Sequence, residues 1–222
     1  MLIPMRRAIA TLVLTALTLG TACDLFADAL HPPSTAQRST PPLSAIAARM
    51  NHAAILRGAF TQEKQFSIMT RPLISQGQFV LDRQQGIWWH TETPIVNDMV
   101  LSAKGILQKN AAGQRQQMES SKQPALKMMT DIIRQLVAGD WEQLARHFEI
   151  AVTDSDTQWQ ATMTPKAGSL FSGYAKEINI KGSDFVNFIS IRENSGDETR
   201  ISFSQLSPDT QLQRQENEAF SW

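Results

Sequence analysis

Cysteine is nearly absent from this chain of 222 residues, which contains a single copy at Cys23. Cys23 lies at the end of an apolar N-terminal run, so a chain that loses this run has no cysteine and forms no disulfide. An exported domain without disulfides is held together by its hydrophobic core alone. The sequence therefore predicts a core-stabilised domain rather than a small disulfide scaffold.

An excess of either charge is also missing. The chain carries 21 basic and 21 acidic residues, and no stretch is strongly basic. Proteins that bind nucleic acid usually show a basic stripe or patch. The composition therefore excludes nucleic acid as the expected partner.

The sequence has little that could hold a metal ion or a cofactor. Its four histidines are widely spaced, no H-x-x-x-H pair occurs, and no Gly-rich phosphate loop follows a strand. We therefore expect neither a metal nor a cofactor. The four histidines are His31, His52, His90 and His147.

No catalytic constellation stands out. Gly168–Gly173 reads GSLFSG, which has the wrong spacing for a G-x-S-x-G nucleophile elbow. The acidic residues are scattered, and none forms an obvious glycosidase pair. We therefore expect no enzyme.

The first 29 residues have the features of a signal peptide. Met5–Arg7 is basic, Ala8–Ala22 is uncharged and too short for a comfortable membrane span, and Ala27-Asp28-Ala29 is a cleavage site. Cleavage after Ala29 leaves a Pro- and Ser-rich leader over 30–42 and a single domain over 43–222.

A second processing route is open at Cys23. Thr21 and Ala22 suit the two positions before a lipid-attachment cysteine, although Gly20 stands where such a motif usually carries Leu. Lipidation would anchor the protein to a membrane facing the periplasm. Ordinary cleavage would release it into the periplasm.

Alternating hydrophobicity indicates an antiparallel sheet. Phe79 and Leu81 alternate with polar residues, Ile87 and Trp89 follow after a Gln85-Gly86 turn, and period two resumes from Phe148 onward. Leu43–Arg57 is predicted to be a helix that Gly58 stops. The short strands favour a strongly curved sheet or open barrel with inserted helices.

The strongest helical pattern runs from Ser121 to Gly139. Its apolar residues recur at helical spacing, Pro124 suits the first turn and Gly139 suits the position after the end. We expect this helix to cover the sheet as a lid. The lid candidates are Leu126, Met129, Ile133 and Leu136.

Several short motifs, in fixed order, resemble the LolA-type carriers of outer-membrane lipoproteins. They are Phe60-Thr61-Gln62, Gly77–Arg83, Trp88-Trp89 followed by Pro94, Ala103–Leu107, Met163–Lys166, and the last strands over Ile178–Leu206. Two positions depart from the family pattern: Gln84 follows Arg83, and Lys104 stands in place of an aspartate.

The resemblance implies a half-open antiparallel β-barrel of about eleven strands with a helical lid. It implies a monomeric carrier that takes the acyl chains of a lipoprotein from an inner-membrane donor complex to an outer-membrane acceptor, and Arg83 as a latch that hydrogen-bonds the covering helices. The cargo stays open between a lipoprotein and another acylated molecule, and a membrane-anchored lipid acceptor or sensor, lipidated at Cys23, is the alternative. The expected cavity residues are Phe60, Phe79, Leu81, Trp89, Phe188 and Phe203.

Overall fold

The computed structural model describes residues 43–50, 52–119, 135–136 and 139–221. They form one antiparallel sheet of eleven strands in the order β6-β5-β4-β3-β2-β1-β11-β10-β9-β8-β7. The first and last strands of the chain pair in the middle, so β6 and β7 are the two edges and the sheet is open. The predicted fold class is confirmed.

The strands follow one another through short connections. They are β1 (Ile55–Gln65), β2 (Leu73–Asp82), β3 (Gly86–Thr93), β4 (Asn97–Ser102), β5 (Gly105–Asn110), β6 (Arg115–Glu119), β7 (Phe148–Asp154), β8 (Trp159–Pro165), β9 (Ala175–Gly182), β10 (Val186–Glu193) and β11 (Glu198–Asp209). The strand end at Thr93 lies where the sequence predicts it, whereas the turn before β3 spans Arg83–Gln85 and Gly86 already pairs with Asp82 as the first residue of β3.

Three α-helices lie wholly among the described residues: α1 (Leu43–Arg49), α2 (Trp141–Leu144) and α3 (Arg214–Phe220). A single turn of 3-10 helix, Leu170–Gly173, lies between β8 and β9. Asp140 caps α2 by accepting the backbone N–H of Gln143 at 3.2 Å.

We call the face of the sheet that packs against α1 and α2 the inner face. Ile46 of α1 and Trp141 and Leu144 of α2 are fully buried against side chains from β7, β8 and β9, such as Ile180. The register connects Ile180 through Ile189 and Ile201 to Gln62 of β1, and Phe60 is two residues from Gln62 on the same face. The inner face therefore continues from the helices to β1.

The outer face packs against the C-terminal helix α3. Phe220 of α3 is buried with Ile55, Val80 and Val100, and Trp88 packs at the edge of this cluster. The sequence pattern does not predict α3, since Phe220 is its single buried apolar residue. A helix with one apolar anchor has almost no amphipathic period.

The predicted helix over Leu43–Arg57 is wrong beyond Arg49. Ile55 begins β1, and Gly58 lies inside that strand instead of stopping a helix. Pairing with β2 on one side and β11 on the other gives this segment two partners. Such long-range pairing outweighs a local helical pattern.

The predicted lid helix lies mostly outside the described residues, as do Leu126, Met129 and Ile133. Gln135 and Leu136 are helical, and Leu136 packs against the inner core. Gly139 has φ +70, and the N–H of Asp140 donates to the carbonyl of Gln135 at 2.8 Å. This is the αL ending that glycine provides after a helix.

Candidate functional site

Four aromatic rings meet on the inner face where β11, β1, β2 and β3 lie side by side. Phe60 and Trp89 stack with ring centroids 3.8 Å apart, and Phe203 meets Phe79 edge-on at 5.2 Å. Trp89 also contacts Phe79 at 6.2 Å and Phe203 at 6.1 Å. We call Phe60, Phe79, Trp89 and Phe203 the aromatic cluster.

Two glycines make the cluster possible. Gly77 is the direct partner of Phe60 on β2, so no side chain separates the Phe60 ring from Trp89 on β3. Gly58 lies opposite Phe79, and a Cβ there would approach the Phe79 ring to 2.7 Å. Glycine in these strand positions admits rings from the neighbouring strands.

The cluster is buried at one side and open at the other. Phe60 and Phe79 are 2% and 7% exposed, whereas Trp89 and Phe203 are half-buried. Leu81, also half-buried, continues the same face beyond Phe79 and pairs with Leu56 and Ile87. The part of this surface that remains accessible to solvent is therefore aromatic and aliphatic.

The structure separates Phe188 from the other predicted cavity residues. Phe188 pairs directly with Ser202, which neighbours Phe203 and points to the opposite face. A register shift between Val186 and Phe188 causes this, because one extra residue reverses which face the following side chains occupy. The prediction that Phe188 shares a face with Phe203 is wrong, and Lys181 lies over the Phe188 ring instead, 5.5 Å from its centroid.

Arg83 lies in the β2–β3 turn at the end of the sheet near α1. Its Nε donates to the carbonyl oxygen of Ala53 at 2.8 Å, and its backbone N–H donates to Ala54 at 3.1 Å. Burial lowers the pKa of the Arg83 guanidinium below its ordinary value. Arg83 therefore fastens the segment that connects α1 to β1.

His52 connects Arg83 to α1. An Arg83 nitrogen lies 3.2 Å from His52 Nδ1, and His52 Nε2 lies 3.2 Å from the carbonyl oxygen of Ala47. Because a guanidinium only donates, Nδ1 accepts and Nε2 carries the proton that reaches Ala47. Sequence patterns do not reveal this contact, since His52 and Arg83 are 31 residues apart.

The inner face becomes polar toward the other end of β1. Lys64, which lies four residues after Phe60 on the same face of β1, forms a buried ion pair with Glu193. The backbone N–H of Ser67 donates to Asp197 at 2.9 Å, and this bond, together with the charge of Lys64, holds the pKa of Asp197 below its usual range. The apolar surface of the site is thus limited at one end by charge.

The described part of the chain holds no group of three His, Cys, Asp or Glu side chains arranged to bind a metal ion. In the same residues, no helix has the length and hydropathy that crossing a membrane requires. The apolar surface of the site consists of the aromatic cluster and Leu81.

The family model for the outer membrane lipoprotein carrier protein LolA matches residues 51–219. The chain belongs to the LolA family. The match spans all eleven strands of the sheet and the residues of the aromatic cluster.

Solved structures of LolA-type proteins are similar to this chain at low sequence identity. The LolA superfamily protein NE2245 from Nitrosomonas europaea is 8% identical with a TM-score of 0.46, and the alignment covers 81% of this chain and 96% of that one. An outer membrane lipoprotein-sorting protein domain from Vibrio parahaemolyticus is 8% identical with a TM-score of 0.45, covering 80% and 97%. The comparison with curated proteins found no match.

Proposed function

We propose that this LolA-family protein is a carrier, not an enzyme, that binds the acyl chains of a lipoprotein or a related lipid on its inner face. The carrier receives its cargo from an inner-membrane donor complex and delivers it to an outer-membrane acceptor across the periplasm. Family membership supports lipoprotein binding in general. The aromatic cluster supports the inner face as the place where the acyl chains bind.

The energetics of transport favour such a site. Each CH₂ group exposed to water costs roughly 0.8 kcal/mol, so an acyl chain of about 16 carbons costs on the order of 12 kcal/mol to expose. Crossing an aqueous compartment therefore requires an apolar surface that shields the chain. Release requires that this shielding be reversible.

A single observation carries the proposal: Trp89 and Phe203 complete an apolar cluster yet remain half-buried. Aromatic rings bury large areas and give up little rotamer freedom, which suits a surface that alternates between cargo and cover. The cluster lies in the middle of the open sheet, where β1 and β11 pair.

The latch role of Arg83 belongs to the same proposal. Hydrogen bonds from a charged group contribute about 1.5–3 kcal/mol net, which is small beside the gain from burying an acyl chain. We propose that the bond from Arg83 to Ala53, which holds the segment between α1 and β1, stabilises the closed arrangement without preventing opening. Leu126, Met129, Ile133 and Leu136 are proposed to cover the bound chain.

Adjacent tryptophans on opposite faces test the site. Trp89 lies in the aromatic cluster, whereas Trp88 packs on the outer face and donates to Asp98 at 3.1 Å. We expect Trp89→Ala to weaken binding of a fluorescent fatty acid at least about tenfold. Trp88→Ala removes the same side chain from the same strand and should leave the affinity of the folded protein unchanged.

Fluorescence titration of the two variants and the wild type decides between the faces. Circular dichroism should first establish that each variant is folded. Equal losses of affinity in Trp88→Ala and Trp89→Ala would contradict the placement of the site. Unchanged affinity in Trp89→Ala would contradict it as well.

The processing site decides whether the carrier diffuses freely. Cleavage after Ala29 gives a diffusing periplasmic carrier, whereas lipidation at Cys23 gives a membrane-anchored acceptor or sensor with the same fold. Membrane fractionation of cells with and without globomycin measures this directly. A soluble protein that ignores globomycin supports the carrier, and accumulation of an unprocessed membrane form supports the anchored alternative.

A further inference from the structure

Exposed large apolar side chains gather at one end of the sheet. Seven such side chains occur in the part of the chain that the structure describes, and all seven lie where β1 ends and β2 begins or in neighbouring connections at that end. We call this end the hairpin rim. The seven are Ile68 at 92% exposure, Ile95 at 72%, and Met69, Leu73, Ile74, Val96 and Tyr174 at 42–50%.

The register shows that these residues share one rim. Lys64 of β1 pairs with Leu73 of β2, so the connection carrying Ile68 and Met69 lies beyond them. Gln76 pairs with Thr93, which places Ile95 and Val96 in the next connection at the same end. The N–H of Asn194 donates to the carbonyl of Tyr174 at 3.0 Å, which joins the β10–β11 turn to the start of β9.

The charge of the hairpin rim suits a surface rich in phosphate. Arg71 is the single charged residue between Gln65 and Gln78, and no charge lies between Thr93 and Asn97. The acidic residues of the nearby β10–β11 turn are engaged within the protein: Glu193 pairs with Lys64, Asp197 accepts from Ser67 and Glu198 pairs with Arg200.

The opposite rim has a different character. It holds the Arg83 turn and the ends of β2, β7 and β11, and it carries carboxylates in most of its connections. They are Asp82, Asp154, Asp156, Asp184 and Asp209, of which Asp154 pairs with Arg49, Asp209 pairs with Arg57 and Asp82 is buried. No large apolar side chain is exposed at that rim among the described residues.

We propose that the hairpin rim docks on a phospholipid bilayer by shallow insertion of its apolar side chains. Ile68 and Ile95 project from two separate connections, so they reach into a soft surface without needing complementary pockets. Aliphatic side chains beside a cation, with a tyrosine near the headgroup level, are the composition of interfacial membrane binders. The proposal goes beyond acyl-chain binding, because it names the surface with which the protein meets a membrane.

Bound to a bilayer in this way, the protein has a defined orientation. The hairpin rim faces the lipid, and the strands run from it away from the membrane surface. The Arg83 turn lies at the end of the sheet that is farthest from the bilayer. The opposite rim exposes no large apolar side chain among the described residues, which favours the same orientation.

Vesicle flotation of the protein as cells process it tests the proposal. The probe is vesicles of phosphatidylethanolamine with phosphatidylglycerol, and the test variant is Ile68→Ser combined with Ile95→Ser. Both side chains are exposed, so folding should be preserved. We expect partitioning to the vesicles to fall at least about tenfold.

A charge-matched pair provides the control. Arg71→Gln at the hairpin rim should lower partitioning about fivefold, because a cation near an anionic surface contributes about that factor. Lys104→Gln removes an exposed cation from the opposite rim and should leave partitioning unchanged. Any N-terminal lipid or peptide is common to all variants, so it cannot produce the difference between them.

Three results would overturn the proposal. Wild-type protein that does not float with the vesicles would show that the rim does not bind a bilayer. Equal flotation of the wild type and the Ile68→Ser, Ile95→Ser double variant would place membrane binding elsewhere. Equal effects of Arg71→Gln and Lys104→Gln would contradict the orientation in which the hairpin rim faces the bilayer. Fatty-acid binding by the same variants should be unchanged, which separates this test from that of the carrier function.

Discussion

The inner face has two halves that bury their apolar residues in different ways. In the half formed by β7–β10, Trp159 and Ile180 are 0% exposed beneath α1 and α2. In the half formed by β11, β1, β2 and β3, Trp89 and Phe203 are half-buried although their rings are in contact. We call these the covered half and the aromatic half.

Under the proposed carrier function, this difference gives one continuous sheet both a stable fold and a binding surface. In the covered half, Trp141 packs edge-on against Trp159 at 5.5 Å, and Trp159 Nε1 donates to Ser183 at 2.7 Å, so this half is fixed. The aromatic half keeps apolar area that a ligand can still bury. A carrier needs both, because a face that was wholly covered by short fixed helices would leave no place for cargo.

The largest expected effect is on stability, in the covered half. Trp159→Ala should cost about 3–5 kcal/mol of unfolding free energy, since it removes a fully buried ring and its hydrogen bond. Urea unfolding measures this loss, and Trp89→Ala should lose less. Greater destabilisation by Trp89→Ala than by Trp159→Ala would contradict the division into halves.

A matched phenylalanine pair sharpens the comparison across the sheet. Phe203 and Phe188 are both half-buried, but they lie on opposite faces. Phe203→Ser should remove roughly 1.5–3 kcal/mol of acyl-chain binding, and Phe188→Ser should remove none. Thermal unfolding with and without added fatty acid measures how strongly the ligand stabilises each variant. A larger loss of this stabilisation in Phe188→Ser than in Phe203→Ser would show that Phe188 belongs to the binding site.

The latch prediction concerns exchange of cargo. Arg83→Leu should destabilise the closed empty state by about 1.5–3 kcal/mol and slow the release of bound fatty acid accordingly. Stopped-flow release to acceptor vesicles measures the rate. Arg214→Leu, which alters an exposed arginine in α3, is the control, and a release rate in Arg83→Leu equal to that of the wild type would end the latch hypothesis.

The smallest effect is on acid stability and lies on the outer face. Burial raises the pKa of Glu216, but hydrogen bonds from Arg57 and from the Gln213 N–H outweigh burial and hold it below its ordinary value of 4.5. A lowered carboxylate pKa contributes stability above the unfolded-state pKa, and that stability is lost as pH falls through the folded-state pKa. Glu216→Gln should therefore reduce the loss of stability below about pH 4.5.

The midpoint of urea unfolding, measured at a series of pH values from neutral to acidic, tests this predicted pH dependence. The other carboxylates with lowered pKa values, Glu177, Asp197 and Asp209, should keep part of the acid dependence in the variant. An unchanged acid dependence in Glu216→Gln would show that the Arg57 pair does not contribute. A wild-type protein that is more stable in acid than at neutral pH would contradict the predicted direction of the pH dependence.

The sequence predicts most of the sheet but not its irregularities. Alternation identifies Phe79 and Trp89 because their strands are regular where the two residues pair. It fails at Phe188, where a register shift exchanges the faces. A one-residue shift leaves no signature in a short alternating run.

Contacts between distant segments are also beyond local patterns. Gly58 resembles a helix stop in sequence, yet it makes room for Phe79 across a strand pair. Arg83 is identified through family resemblance, but His52 and Ala53 as its partners depend on how α1 meets β2. The tertiary arrangement decides such contacts, and it cannot be read from spacing within one element.

Native mass spectrometry of the protein purified from a periplasmic extract is the most direct test of the central claim. The account predicts that the wild type carries an acylated species and that Trp89→Ala and Phe203→Ser lose it while Phe188→Ser keeps it. The mass of the bound species would also decide between a lipoprotein and another acylated molecule. A wild-type protein that emerges empty and also refuses added fatty acid would contradict the claim that the aromatic half binds acyl chains.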